Sequence, residues 1–205
     1  MSSGLSPSAD PDLPGLISAR IRDIPDYPQP GVLFKDITPL LADGDAFAAV
    51  VSAMAEGWRG AGGLGKGAGG VGQGAGKGAG GVGIDKVVGI EARGFILAAP
   101  VACCLGAGFI PVRKQGKLPA ETLAESYQLE YGAATVEVHV DAFQPGDRVL
   151  IVDDVLATGG TAASSVSLVR RSGAEVAGVS VLLELGFLGG RTSLPDVEVR
   201  SLLVV

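Results

Sequence analysis

The stretch Arg148-Val-Leu-Ile-Val152 is apolar at every position after its arginine, and it runs into two adjacent carboxylates, Asp153 and Asp154. A strand that is apolar at successive positions shows apolar side chains to both faces, so both faces of its sheet have to be covered. Residues 86–90 and 176–183 read as buried strands of the same kind, and 109–112 and 197–205 supply two more. Helical segments lie between them at 95–105 and at 160–171, the second stopping before Gly173. Residues 135–140 alternate as a strand, and Pro145-Gly146 marks the turn that follows. Strands alternating with helices, several of them uniformly apolar, predict an α/β fold with a mostly parallel, doubly wound sheet.

The first third of the chain is less regular. Residues 1–15, rich in Ser, Pro, Asp and Gly, read as a flexible tail, and 16–205 as a single domain. Residues 16–22 fit a short amphipathic helix, while prolines keep 23–31 out of any helix. An extended piece follows at 32–36, then a helix at 46–58 with Phe47, Val50, Val51 and Met54 at helical spacing. The chain holds 33 glycines, and many of them fall in residues 60–83, a low-complexity Gly/Ala tract that reads as a flexible insertion. Gly60, Gly62 and Gly65 match the spacing of a dinucleotide fingerprint, and Lys66 invites comparison with a phosphate loop. No strand precedes them, no helix follows, and Lys66 is succeeded by Gly67 rather than Ser or Thr, so composition alone explains the match.

Charge and cysteine content narrow the classes. A net charge of −6 argues against a nucleic-acid binder, although backbone N–H groups and Mg²⁺ can still hold a phosphorylated small molecule. No apolar run is long enough to span a bilayer, and residues 1–12 have neither a basic start nor an apolar stretch, so no membrane association or secretion is expected. Cys103 and Cys104 are adjacent within an apolar segment and lack metal-site spacing, which points to reduced core thiols of a cytoplasmic protein. His139 stands in an alternating strand without ligand partners at useful spacing and reads as structural.

Ligands of open α/β sheets bind beyond the carboxyl ends of the strands, which makes the end of the strand at 148–152 the candidate site. After Asp153 and Asp154 come Ala157, Thr158, Gly159, Gly160 and Thr161, a glycine-rich turn into a helix. Glycines admit close backbone approach, and the unpaired N–H groups of the helix start favour a phosphate. Two carboxylates beside it call for sugar hydroxyls or a cation. Asp and Thr can also simply cap a tight turn, but two acids ending an apolar strand are costly without a partner.

The run Val152-Asp-Asp-Val-Leu-Ala-Thr-Gly-Gly-Thr161 closely resembles the phosphoribosyl pyrophosphate motif of the type I phosphoribosyltransferases. The resemblance implies that residues 157–161 hold the ribose 5-phosphate while Asp153 and Asp154 face the ribose hydroxyls. Three further segments resemble the adenine-specific branch. Pro30-Gly-Val-Leu-Phe-Lys-Asp-Ile-Thr-Pro39 is similar to its base-binding stretch, which implies that Phe34 stacks on adenine while Leu33 and Lys35 contribute main-chain contacts. Phe34 as a plain core residue is the alternative. Gly89-Ile-Glu-Ala-Arg-Gly-Phe95 resembles the pyrophosphate loop, with Arg93 as donor, and the family often has a cis non-proline peptide just before that arginine.

Residues 113–132, a long polar connection, resemble the family's mobile hood. Arg113, Lys114 and Lys117 are placed to meet pyrophosphate, or else form a solvated charge run. Glu130 matches the proposed acid/base residue, and Tyr131 its neighbour near adenine. The resemblance covers most of residues 21–205; the tail and the glycine tract lie outside it. It implies catalysis by Glu130, Asp153, Asp154 and Arg93, with substrates adenine and phosphoribosyl pyrophosphate, products AMP and pyrophosphate, Mg²⁺ carried mainly by substrate, and a homodimer. A related transferase acting on hypoxanthine, guanine, xanthine or orotate is one rival, disfavoured by the Phe34 stretch and Glu130-Tyr131. A non-catalytic sensor that binds DNA is another, but residues 1–20 are too short and proline-rich for a DNA-reading domain.

Overall fold

A computed structural model describes residues 12–59, 83–128 and 133–205. Its centre is a sheet of seven strands: β3 (Lys86–Ile90), β4 (Gly108–Lys114), β5 (Thr122–Gln128), β6 (Ala133–His139), β7 (Arg148–Leu156), β8 (Glu175–Glu184) and β9 (Val199–Val204). They lie side by side in the order β5-β6-β4-β3-β7-β8-β9. From β4 to β9 every pairing is parallel, and the β5–β6 hairpin adds an antiparallel edge. The chain builds outward from β3 to β4 on one side and from β7 to β9 on the other. The topological switch therefore falls between β3 and β7, where a crevice opens at the strand ends.

The doubly apolar strands are explained by two cores. Leu150 and Val152 of β7 point into one cluster, with Leu97 and Val101 of α4 (Arg93–Leu105) and Val50 and Met54 of α3 (Gly44–Glu56). Val149 and Ile151 point the other way, into a cluster with Val166, Leu168 and Val169 of α5 (Gly160–Arg171). All four β7 residues are fully buried, at about 25 cal/mol per Å² of apolar area removed from water. Helix α3 begins where the Asp43 side chain accepts the N–H groups of Asp45 and Ala46.

Several elements differ from the expectations. The helix expected at 16–22 is α1 (Leu13–Ser18), because Pro14 suits a helical first turn and Arg22 is drawn into a two-stranded sheet. That sheet pairs β1 (Arg22–Ile24) with β2 (Phe34–Asp36) and is tied by the Arg22–Asp36 and Lys35–Asp23 ion pairs. A further short helix, α2 (Thr38–Ala42), starts at a proline-bearing first turn. The connection expected at 113–132 contains β5, whose one-sided burial hides it in a polar sequence: Leu123, Glu125 and Tyr127 are partly covered, while Ala124 and Ser126 face solvent. Strand β7 runs on past Val152 to Leu156, so Asp153 and Asp154 belong to the strand itself. Cys103 and Cys104 are exposed rather than in the core, since Leu97, Ala98, Val101 and Ala102 already fill the inner face of α4. Residues 1–11, 60–82 and 129–132 lie outside the described residues, and with them most of the tail and the glycine tract.

Candidate active site

A cavity of about 300 Å³ opens at the ends of β3 and β7. Asp153, Asp154, Ala157 and Thr161 line it from the β7 side, and Glu91, Ala92 and Arg93 from the β3 side. Lys114 at the end of β4 and Tyr127 from the hairpin complete its wall. Thr158, Gly159 and Gly160 form a smaller hollow beside it, again with Asp153, Ala157 and Thr161.

Two helices begin at this cavity. Helix α5 has Gly159 as its N-cap, at φ 85°, and α4 has Ala92; neither has a side-chain cap, unlike α3. Their first N–H groups are left to a ligand, and both helix dipoles favour an anion there. Gly94, in the first turn of α4, lies so close to β7 that a methyl group would sit 2.7 Å from Asp153 Oδ1. That glycine lets the helix start rest directly against the acidic strand end.

Electrostatics sharpen the site. Burial pushes the Asp153 carboxyl well above the usual range, and the neighbouring Asp154 charge pushes it further. Burial also raises Asp154, though the Arg93 guanidinium opposes it. Arg93 Nη2 stands 2.9 Å from Asp154 Oδ2 as an ion pair, at an angle outside hydrogen-bond geometry, so that oxygen is buried without a hydrogen bond. Half-buried Asp153 accepts the Asp154 N–H at 2.9 Å, but buried Asp154, facing one half-exposed arginine, keeps an oxygen without a hydrogen bond, the condition that a cation or sugar hydroxyls would relieve. Glu91 behaves differently. Burial raises its pKa, but the Lys114 N–H and the Arg113 guanidinium outweigh that and hold it below the usual range.

Arg93 also reaches the N-terminal sheet. Its Nη1 donates to the Lys35 carbonyl at 3.3 Å, and its guanidinium lies 4.8 Å from the centroid of the Phe34 ring. Tyr27 meets the same ring edge-on at 5.1 Å. Leu33 is 49% exposed beside them, and the Lys35 ammonium is held by Asp23. The Glu91–Ala92 peptide is cis, one residue before the bond that precedes Arg93.

Of the residues singled out from the sequence, Arg93, Lys114, Asp153, Asp154, Ala157 and Thr161 thus share one cavity, while Phe34 and Lys35 join it through Arg93. Lys117 does not line the cavity; its carbonyl accepts from Arg113 Nη1 at 2.9 Å. Arg113 is turned to Glu91, at 3.2 Å, and not toward the cavity. Glu130 and Tyr131 lie outside the described residues. Two polar residues of the cavity were not assigned from sequence. Tyr127 accepts a hydrogen bond from Thr161 Oγ1 at 2.9 Å, and its inward position follows the Leu123-Glu125-Tyr127 alternation. Glu91 follows the apolar run of β3 in sequence as Asp153 follows that of β7, the same signal read at only one of the two places.

The family model of the phosphoribosyl transferase domain matches residues 79–201. The adenine phosphoribosyltransferase of Thermobifida fusca is 59% identical over 194 residues, covering 95% of this chain and 98% of its own. The crystal structure of adenine phosphoribosyltransferase from Rhodothermus marinus is 46% identical with a TM-score of 0.82, covering 96% of this chain and 100% of that one. The Saccharomyces cerevisiae enzyme, complexed with an imino-altritol bisphosphate and adenine, is 33% identical with a TM-score of 0.78, over 94% of this chain and 99% of that one. With a parallel sheet switching at β3 and β7, an acidic strand end and an uncapped glycine turn, and relatives this close over nearly the whole length, the chain belongs to the adenine phosphoribosyltransferases.

Proposed function

We propose that the cavity between β3 and β7 joins adenine to the ribose of phosphoribosyl pyrophosphate, releasing pyrophosphate and forming AMP, the salvage reaction of this family. One observation supports it above the rest: Arg93 bridges the acidic strand end and the Phe34 ring, so one side chain stands between a sugar-phosphate subsite and an aromatic platform. The N–H groups and hydroxyls of Ala157, Thr158, Gly159, Gly160 and Thr161 receive the 5-phosphate. Asp153 and Asp154 hold the ribose hydroxyls, which supply the hydrogen-bond partner that the buried Asp154 Oδ2 lacks. Arg93, Lys114 and Lys117 meet the pyrophosphate; Lys117 reaches it by a movement of the β4–β5 turn around Gly116, at φ 77°.

Adenine stacks on Phe34, main-chain groups of Leu33 and Lys35 read its edge, and Tyr131 is assigned to the same base. The flat Arg93 guanidinium over the ring shows that a planar, delocalised group fits that face. As N9 attacks ribose C1, the bond from C1 to the pyrophosphate oxygen breaks through a state with oxocarbenium character. The carboxylates of Asp153 and Asp154 stabilise that positive charge, and Glu130 takes up the proton adenine loses. Asp153 and Asp154 are the acidic groups that would stand nearest a Mg²⁺ carried in mainly by the substrate, and that ion would supply neutralisation of charge on the leaving pyrophosphate.

We also place the enzyme in the cytoplasm as a homodimer. No described helix is long and apolar enough to cross a membrane. Ile96 of α4, 45% exposed, and Phe109 of β4, 36% exposed and edge-on to Phe95 at 5.8 Å, are apolar side chains that a second copy would cover.

The test is AMP formation from adenine and phosphoribosyl pyrophosphate with Mg²⁺, with hypoxanthine and guanine alongside. Turnover with adenine alone is expected. Turnover with another base in place of adenine would overturn the Phe34 assignment, and no turnover with any base would overturn the reaction.

A further inference from the structure

Behind the glycine turn, on the side away from the cavity, lies a short 3-10 turn, Gly190–Ser193. It touches the phosphate loop at backbone level. A methyl group on Gly159 would overlap the Gly190 carbonyl oxygen, and one on Gly190 would overlap the Ala157 carbonyl. Ser193 Oγ donates to the Thr158 carbonyl at 2.9 Å. Since α5 has no side-chain cap, the loop's shape depends on this backing.

The backing turn is itself fastened by one residue. Arg191 forms a two-pronged pair with Glu184 at the end of β8, Nε to Oε1 and Nη2 to Oε2, both at 2.7 Å. Its Nη1 donates to the Val199 carbonyl at 2.9 Å, and Nη2 to Ser201 Oγ at 3.1 Å. Ser201 Oγ in turn donates to Glu184 Oε2 at 2.7 Å. Glu184 is buried while the Arg191 side chain is half-exposed. Planar pairing of this kind fixes direction as well as distance. Neither residue lines the cavity.

We infer that the Glu184–Arg191 pair is a positioning device for the 5-phosphate loop, acting through the Gly190 backbone and Ser193 to set affinity for the phosphorylated substrate without touching it. The device rests on the assignment of residues 157–161 to the 5-phosphate. Removing a brace of this kind leaves the chemistry at C1 and the adenine platform in place but loosens the loop, so its effect falls on one substrate.

The experiment compares Arg191→Gln, Ser193→Ala and, as a control inside the loop, Thr161→Val, in the full chain. Arg191→Gln, which breaks the two-pronged pair with Glu184, is expected to raise KM for phosphoribosyl pyrophosphate about tenfold, with KM for adenine unchanged. Competition by ribose 5-phosphate should weaken by the same factor, and Arg191→Lys should recover only part of it. Ser193→Ala, at an exposed position that folding tolerates, should raise the same KM about threefold. Because both act on one loop, the double variant should lose less than the product of the two. Unchanged KM in the Ser193 and Arg191 variants, with Thr161→Val impaired, would overturn the positioning role alone. If Thr161→Val is also unimpaired, the phosphate assignment itself fails. An equal rise in both KM values would mark a merely structural pair.

Discussion

At the scale of single residues, the two acids at the end of β7 have different consequences. Asp154 faces Arg93 in the cavity, and its carboxylate is assigned to charge stabilisation, so Asp154→Asn should lower kcat about a hundredfold or more while circular dichroism stays native. Asp153 bears the larger burial penalty. A carboxyl raised in the folded state stabilises the fold fully below its unfolded value of 3.8, and that contribution is lost as pH rises through the folded value. Asp153→Asn should therefore be more stable than the parent near pH 7, by about 1 kcal/mol, and the advantage should shrink on acidification. Thermal melts of both proteins at neutral pH and at successively more acidic pH check this. The acids and glycines of the site were legible in the sequence because burying an acid at the end of an apolar strand demands a partner. The Arg113–Glu91 pairing was not, since it depends on two strands meeting in register.

At the scale of elements, the strands with apolar residues on both faces announced themselves, and their bounds at β3 and α5 match the expectations. Strand β5 escaped because an edge strand needs cover on one face only, and alternation broken by Ala124 and Ser126 reads like a polar loop. The turn behind the phosphate loop was equally invisible, being defined by contacts between residues over thirty positions apart, as in Ser193 with Thr158. Its fastening titrates. The Arg191 hydrogen bonds hold Glu184 below its usual value of 4.5, so the stabilisation is present above that value and lost as pH falls through the lowered one. Glu184→Gln should cost about 1 kcal/mol at neutral pH, discounted because Arg191 is half-exposed. Chemical denaturation at neutral and strongly acidic pH should show the deficit vanish in acid.

At the scale of the whole molecule, the exposed apolar residues Ile96 and Phe109 sit on α4 and β4, the elements that begin or end at the cavity. Ile96→Glu should shift the protein toward monomer in light scattering without unfolding it, because Ile96 contributes little to the inner core. A variant that keeps the parent's mass would place the contact elsewhere. The division of the site along the chain has another consequence. The residues assigned to sugar, phosphate and pyrophosphate fall within the matched stretch 79–201, whereas the β1–β2 sheet bearing Phe34 precedes it. Arg93 is the joint between them. On this assignment the ring that stacks the base and the groups that hold the sugar lie on separate lengths of polypeptide, and descent can rewrite the first while leaving the second alone, provided the joint still finds a ring to lie on.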